Sequence, residues 1–332
     1  VIEKRNHIGG NCYTEERNGI HVHKYGAHIF HTKSKRIWDY INQFATFNNY
    51  IHKVLVNIEG LIYSFPINLL TMHQLWPGDV KTPDDARRKL DSMRVKIDKP
   101  ANFEEHMLSQ VGHSIYALFF KEYTRKQWRR DPKEMPASLG SRVPVRLTFD
   151  DRYFGDDYQG IPVGGYTQIF ERMLDGVEVH TSTDFFSDRE VLTRLGKKLV
   201  FSGCIDELHG YKFGHLDYRT LKFDHISMSG DYQGTAVVNH THPNVQYTRV
   251  TEHKHFDGGN QALTVVSMEY PIEYHPGRIP YYPINDVGNT QRYERYREIT
   301  GDDVILGGRL GLYKYYDMDQ IISSALSISR RA

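Results

Sequence analysis

The 332-residue sequence is poor in several things, and each shortage excludes something. Two cysteines, Cys12 and Cys204, cannot build a disulfide framework, which sets aside the small secreted scaffolds and favours a reducing, cytoplasmic setting. No apolar run approaches the roughly 20 residues needed to span a bilayer, so membrane insertion is not expected. Neither sign of charge dominates: 42 Lys and Arg face 41 Asp and Glu, and no global field recommends nucleic acid or an anionic membrane as partner. No internal repeat or low-complexity segment is present.

What is abundant is tyrosine, with 23 residues, many beside Gly, Pro or Arg. Amphipathic rings of that kind suit a polar cavity, and hydrated domain interfaces use them too. The length allows a large core divided over about two or three domains.

Along the chain, residues 1–3 read as a strand end, and the Ser34–Phe47 stretch as a short helix with Ile37, Ile41 and Phe44 on one face. VLVNIEGLIYSFPIN resembles a hairpin turning at Glu59-Gly60 and ended by Pro66. From residue 69 to 140 the pattern is helical. Thr82 is a candidate N-cap with Pro83 at the first helical position. FEEHMLSQVGHSIYALFF carries Met107, Val111, Ile115 and Leu118 as a buried stripe. IPVGGYTQIFERMLDG reads as a turn and a helix, with Ile169 and Met173 inward and Gly176 as terminator. Val177–Val179 and KKLVFSG read as strands, and short β-like pieces, including TAVVNH and ALTVVSMEY, run to about residue 272. The end is a strand, the Gly307-Gly308 pair and a helix over DMDQIISSALSI, where Asp317 and Gln320 have the spacing of a capping box. Flanking α/β pieces that enclose other segments imply a discontinuous nucleotide-binding domain.

The local chemistry is suggestive in places. Glu3 at a strand terminus is compatible with a ribose hydroxyl, and Gly307-Gly308 lies between a strand and a helix whose first amides favour an anion. HVHKYGAHIFHT is dense in imidazoles, yet no Asp, Glu or Cys in the segment completes a zinc set, and no structural metal is expected. KEYTRKQWRRD mixes Tyr123 and Trp128 with five cations, which suits a nucleotide: the base takes a π-face and the phosphates take guanidinium forks. Single-stranded RNA would use the same residues, but no continuous basic track accompanies them. A solvated helix end is the plain alternative.

Taken together, EKRNHIGGN, HKYGAHIFHT, YTRKQW, PVRLTFDDRYF, QGIPVGGYT, YRTLKF, YTRVTEHKHF, IPYYPIND and GGRLGLYKYYDMD resemble the bacterial UDP-galactopyranose mutases, in order and over nearly the whole chain. The resemblance implies an α/β protein with a discontinuous Rossmann-like FAD-binding domain (1–50, 160–207 and 302–332), a helical domain (69–140) and a twisted antiparallel β-sheet domain that takes substrate (51–68, 141–159 and 208–301). It also implies that the family's first strand and glycine-rich FAD loop stand ahead of Val1, so the sequence is expected to be N-terminally incomplete.

The implied activity is interconversion of UDP-galactopyranose and UDP-galactofuranose, an isomerisation without net redox. It proceeds through a covalent adduct of the sugar's anomeric carbon with N5 of reduced FAD. A homodimer, a place in galactofuranose and cell-wall polysaccharide biosynthesis, and no nucleic-acid partner follow from the same likeness. An amine-oxidase-like FAD oxidoreductase and a non-catalytic UDP-sugar-binding protein are the alternatives.

Carried over residue by residue, the resemblance puts Arg142 on a mobile loop and Arg249 on the diphosphate. His28 falls beside the isoalloxazine, Arg219 near the flavin and Asp317 close to the sugar. Tyr123 and Trp128 flank the base, supported by Phe119, Phe120 and Thr124, although Phe119 and Phe120 read equally as core. Tyr153, Tyr282 and Tyr315 reach the phosphates. Cofactor contacts are expected from Glu3, Arg5, Gly10, Asn11, His28, Arg219, Arg309, Asp317 and Met318. The chain departs from the family's pattern at His52, where asparagine is common near the substrate, and at Glu122.

Overall fold

The computed structural model describes residues 1–329, which form two compact units. The first comprises Val1–Tyr50, Asp156–Thr220 and Tyr274 onward; the second comprises Ile51–Gly155 and Leu221–Glu273.

In the first unit, extended backbone at the N-terminus lies parallel to the segment around His180: Glu3 N–H donates to the His180 carbonyl at 2.9 Å, and His180 N–H to that of Val1 at 2.8 Å. Val177–Val179, expected as a strand, is irregular, and only His180 makes an isolated bridge, to Ile2. A second parallel pairing joins Val304–Leu306 to Leu199–Phe201. Thr14–Arg17 and Ile20–His23 form an antiparallel hairpin, and Phe30–Thr32 pairs with Tyr158–Gly160. The helix Lys35–Ile41 is capped by Ser34, and it buries Ile37 and Ile41 against Phe30, Tyr166 and Ile169.

Tyrosine builds a second core in this unit, with Tyr218, Tyr293, Tyr296 and Tyr313 around Ile205 and Leu216. The hydroxyls of Tyr218, Tyr296 and Tyr313 do not go unmet. Tyr296 donates to the Gly214 carbonyl at 2.7 Å and Tyr313 to that of Asp217 at 2.6 Å, so these rings bury large apolar area without an orphaned polar tip.

The second unit is a sheet with helices. Its neighbouring strands are, in order, the part of Tyr218–Ser229 from Leu221 onward, Leu263–Ile272, Arg249–Glu252, Val237–His240, Val54–Ile58 and Leu61–Phe65. The stretch from Tyr218 is one long strand, not a set of short pieces. Val54–Ile58 runs parallel to Val237–His240, so the sheet is mixed where antiparallel pairing alone was expected. The helical insert and the segments beyond it separate these two strands in sequence, and a parallel pair needs a long crossover of that kind.

Thr82 caps Pro83–Met93, as the sequence pattern expects, and in addition closes a capping box with Asp85. The helix Phe103–Ile115 buries Met107, Val111 and Ile115. It bends at Gly112 (φ 71°), where a Cβ would meet the Met93 carbonyl oxygen at 2.3 Å, so only glycine fits. A π-helical turn, Tyr116–Lys121, follows. Its wider turn shifts the phase of the stripe, which leaves Leu118 38% exposed and carries Phe119 and Phe120 inward instead. Among the described residues no helix is long and apolar enough to cross a membrane.

Candidate active site

Of the residues expected to meet a nucleotide diphosphate, Tyr123, Trp128, Arg142, Tyr153 and Arg249 lie in the second unit, and Tyr282 and Tyr315 in the first. The helix Glu122–Trp128 starts without a side-chain cap and ends where Arg129 enters the left-handed region at φ 51°. It continues the π-helical turn Tyr116–Lys121 without a break, since Lys121 is itself helical, and tertiary ties fix this last stretch of the helical run. Those ties lead to the strand Arg249–Glu252. Arg249 lies in register with Asn239 on one neighbour and Glu269 on the other. Its Nε donates to Asn239 Oδ1 at 3.2 Å, Nη2 donates to the Tyr123 hydroxyl at 3.2 Å, and Nη1 stands 3.5 Å from Glu269 Oε2.

Glu269 is 4% exposed, whereas the Arg249 side chain keeps 26% of its surface open. A guanidinium is thus presented from a buried carboxylate base, with its orientation set by three partners. Burial pushes the Tyr123 phenol up to about 12, against the pull of the Arg249 charge, so Tyr123 remains a neutral hydroxyl.

Around this centre, Tyr153 N–H donates to the His52 carbonyl at 2.8 Å. The buried His52 ring lies 5.4 Å from the Tyr153 ring and 5.5 Å from that of Phe154. Phe119 and Phe120 are core residues: their rings stand 6.4 and 5.9 Å from that of Phe65, and Phe119 is 2% exposed, so they support the helix that follows without presenting a face. Thr124 is buried and Trp128 half-buried. Arg142 sits at the exposed end of the 3₁₀ turn Ala137–Arg142, not on a sheet.

The first unit collects the residues expected around a dinucleotide. Glu3 accepts from the Arg5 amide at 2.8 Å, and Arg5 Nη2 donates to Asn11 Oδ1 at 2.7 Å. The Arg5 guanidinium lies 4.4 Å from the Tyr25 ring, with Nη1 buried and without a hydrogen-bond partner. Gly9 and Gly10 have φ of 88° and 55° and lead into a 3₁₀ turn. Cys12 donates to Met318 Sδ at 3.7 Å.

His28 closes the turn after Gly26. Its amide donates to His23 Nδ1 at 3.1 Å and its own Nδ1 meets the Gly26 carbonyl at 2.8 Å. Burial lowers the His28 pKa to about 4, the Gly26 carbonyl opposes this, and the Arg309 charge adds to it. The ring is therefore neutral near pH 7, with Nδ1 as the donor.

Arg309 is already committed: it donates to the carbonyls of Tyr281 and Tyr316, and its guanidinium lies 5.0 and 5.3 Å from the rings of Tyr282 and Tyr315. It therefore latches the Gly308–Gly311 turn beneath two tyrosines whose rings are 5.0 Å apart. The buried Arg219 is paired in register with Tyr282. Asp317 precedes the helix Met318–Ser329, and its amide donates to Gln320 Oε1 at 2.9 Å, one arm of the expected capping box.

Three features escaped the sequence reading. Glu269 is a buried acid inside the β run ALTVVSMEY, and an acid at a core position of such a run was the available signal. Lys126 is enclosed by main-chain carbonyls, for which no local pattern exists. The last is an ionic network around the buried Glu252 and Lys254. Asp231, Glu252 and His255 bring candidate ligand atoms within 4.8 Å of one another. However, Lys254 Nζ already lies 3.0 Å from Asp231, while Glu252 accepts from three main-chain amides and the Thr264 hydroxyl. An ammonium held there makes this a structural ion cluster and not a cation cradle.

A family model for UDP-galactopyranose mutase matches residues 118–315, and one for an NAD(P)-binding Rossmann-like domain matches residues 1–44. A probable UDP-galactopyranose mutase of Klebsiella pneumoniae is 39% identical over 98% of this chain and 86% of its own length. A dTDP-fucopyranose mutase of Escherichia coli is 38% identical over 99% of this chain and 90% of its own. Among solved structures, a reduced UDP-galactopyranose mutase superposes with a TM-score of 0.69 at 16% identity, covering 95% of this chain and 85% of that one. A putative protoporphyrinogen oxidase from Exiguobacterium follows at 0.64 and 11%, covering 100% and 92%; at such identities these two likenesses show the fold alone.

Proposed function

Because the chain belongs to the UDP-galactopyranose mutase family, we propose that it interconverts UDP-galactopyranose and UDP-galactofuranose. The observation that carries this reading is Arg249, a half-exposed guanidinium aimed by Tyr123, Asn239 and the buried Glu269. Such a fork has no task in amine oxidation. It fits a diphosphate that must leave and return, because a preorganised charge stabilises the leaving group as negative charge develops. Arg142, on its exposed turn, joins it once substrate is bound. Tyr153, Tyr282 and Tyr315 donate hydroxyl protons to phosphate oxygens, and Tyr123 and Trp128 orient the base.

The first unit fits FAD. Glu3 matches a ribose diol, and the buried, unpartnered Arg5 Nη1 beside the positive-φ pair Gly9-Gly10 matches a pyrophosphate. Asn11 steadies Arg5, and Met318 packs beside Cys12 at the start of the last helix. When bound and reduced, FAD supplies the nucleophile for the anomeric carbon, so the reaction needs the reduced cofactor without consuming it. His28 contributes as a neutral ring on a rigid turn, holding its proton on Nδ1 toward Gly26 and leaving Nε2 as an acceptor. Arg219 adds a fixed buried charge, and Asp317 provides a carboxylate for the sugar. We place the enzyme in the cytoplasm as a homodimer that feeds furanose-containing cell-wall polysaccharide, with no nucleic-acid partner.

The likeness to a dTDP-fucopyranose mutase favours a second reading, the same ring contraction on a dTDP-sugar. One experiment tests both. Protein loaded with FAD and reduced by dithionite is incubated anaerobically with UDP-galactofuranose or with dTDP-fucofuranose, and the products are separated by chromatography. Conversion to UDP-galactopyranose without stoichiometric loss of reductant is expected. Conversion of the dTDP-sugar alone would change the substrate assignment. Turnover of neither by flavin-loaded protein would overturn the mutase reading, and oxidation of an amine instead would establish the oxidase.

A further inference from the structure

The Lys126 ammonium lies among four main-chain carbonyl oxygens, those of His240 at 2.8 Å, His242 at 3.0 Å, Val245 at 3.0 Å and Tyr247 at 3.3 Å. The first ends the strand Val237–His240 and the other three belong to the connection from it to Arg249–Glu252, the segment that delivers Arg249. The next side chain, Gln127, accepts from the Thr248 hydroxyl at 2.9 Å, and Tyr123, one turn earlier, accepts from Arg249 itself at 3.2 Å. Positions 123, 126 and 127 are spaced three and four apart, so one face of a helix makes all three ties.

Each partner in this contact is an end or a loop: the final turns of a helical run and the connection between two strands. Glu122–Trp128 is the last stretch of a helical run that ends at Arg129, and the connection is a loop whose main-chain carbonyls need donors. An ammonium is compact enough to face several carbonyls at once, as a guanidinium is not. Resting on the function argued above, we propose that Lys126 is a positioning residue: it clasps the connection to the base-binding helix, so that Tyr123, Trp128 and Arg249 keep one relative geometry whether or not a nucleotide is bound. Lys126 itself touches none of the reacting atoms. Its effect belongs to preorganisation, the ordering of a site before the ligand arrives.

The test uses Lys126→Met, which keeps the aliphatic stem and removes the ammonium, together with Lys126→Arg and Gln127→Ala, in FAD-loaded full-length protein. Hydrogen–deuterium exchange followed by mass spectrometry should rise in Lys126→Met within residues 122–128 and 240–249, and elsewhere stay as in the parent. Lys126→Arg should recover only part of that protection, and Gln127→Ala should raise exchange in the same two segments to a smaller extent. UDP titrations should show about a tenfold weaker Kd for Lys126→Met. In an Arg249→Ala background the same substitution should cost less than threefold, because both changes act through one guanidinium.

Protection in 122–128 and 240–249 that is unchanged in Lys126→Met would overturn the clasp. So would a rise spread evenly over the second unit with a falling Tm, which marks general core support, or full additivity with Arg249→Ala. If Lys126→Met itself unfolds, the exchange pattern of Gln127→Ala decides by the same criterion. If the parent binds neither UDP nor dTDP, the functional reading fails, and the exchange data still decide the clasp.

Discussion

Replacing Arg249 by alanine removes two things at once, and the structure allows them to be separated. The first is the charged donor proposed for a diphosphate. A charge-assisted hydrogen bond contributes about 1.5–3 kcal/mol, so UDP should bind roughly 10- to 150-fold more weakly at about 1.4 kcal/mol per factor of ten. The second is the counter-charge of Glu269, which is 4% exposed and 3.5 Å away. Orphaning a buried charge costs about 3–5 kcal/mol, and Arg249's partial exposure argues for less, nearer 2–3 kcal/mol. Arg249→Ala should therefore lower the urea midpoint as well as UDP affinity. Adding Glu269→Gln should restore most of the midpoint by removing the stranded charge, and none of the affinity. Arg249→Lys should restore the midpoint with only a fraction of the affinity, since an ammonium cannot reproduce the fork. Calorimetric titration with UDP and urea unfolding followed by tryptophan fluorescence read the two effects. If Arg249→Ala and its double mutant with Glu269→Gln unfold at the same urea concentration, the buried pair does not support the sheet. Unchanged UDP affinity in Arg249→Ala would remove the arginine from the diphosphate.

The other predictions are shorter. Trp128→Ala should weaken UDP binding by about 1–3 kcal/mol if its ring stacks on the base, with flavin content near that of the parent; native affinity in calorimetry would return the ring to a packing role. Arg142→Ala should depress turnover strongly while FAD content and the circular dichroism spectrum stay as they were, because the side chain is exposed at the end of its turn, and Arg142→Lys should recover little; parent-like turnover would exclude the residue from the reaction. His28, lowered to about 4 in the folded protein against 6.5 ordinarily, binds fewer protons than in the unfolded chain between those values. Its contribution to stability is full above about pH 6.5 and is lost as pH falls toward 4. His28→Gln should flatten the acid-induced loss of stability across that window, and a His28 ring signal that titrates above pH 6 in NMR would refute the assignment.

How far the fold could be read depended on whether local chemistry and tertiary packing agreed. Thr82 and Pro83 announce their helix because the cap and the constrained φ act within one turn, and the structure shows the capping box. Glu59-Gly60 turns its hairpin for the same reason, with both residues at positive φ. Leu118 was misjudged because a stripe extrapolated at the α period cannot foresee a π-helical turn. The parallel pairing of Val54–Ile58 with Val237–His240 is likewise unreadable, since each strand alone is compatible with either direction. The tyrosines, read as suited to a cavity or an interface, proved in several cases to be core residues. Their hydroxyls find main-chain carbonyls, such as those of Gly214 and Asp217, that no local pattern marks.

The candidate site divides along the same line. Residues that use a distinctive side chain in a distinctive run, such as Tyr123 and Trp128 in YTRKQW or Arg249 in YTRVTEHKHF, were legible from the chain alone or by resemblance. The groups that aim them were not. Glu269 matters because the register of two antiparallel strands sets it opposite Arg249, and register is a property of the sheet rather than of either strand. Lys126 matters because four carbonyls converge on it, and main-chain carbonyls carry no residue identity at all. A sequence motif therefore exposes the groups that would touch substrate more readily than those that hold them in place. Yet here the holding groups decide whether a half-exposed guanidinium points one way or several. Since ordering a flexible side chain on binding costs about 0.5–1.5 kcal/mol, the support beneath Arg249 is comparable in weight to one of its hydrogen bonds. That is why Glu269 and Lys126 belong in any account of how this protein would recognise a nucleotide diphosphate.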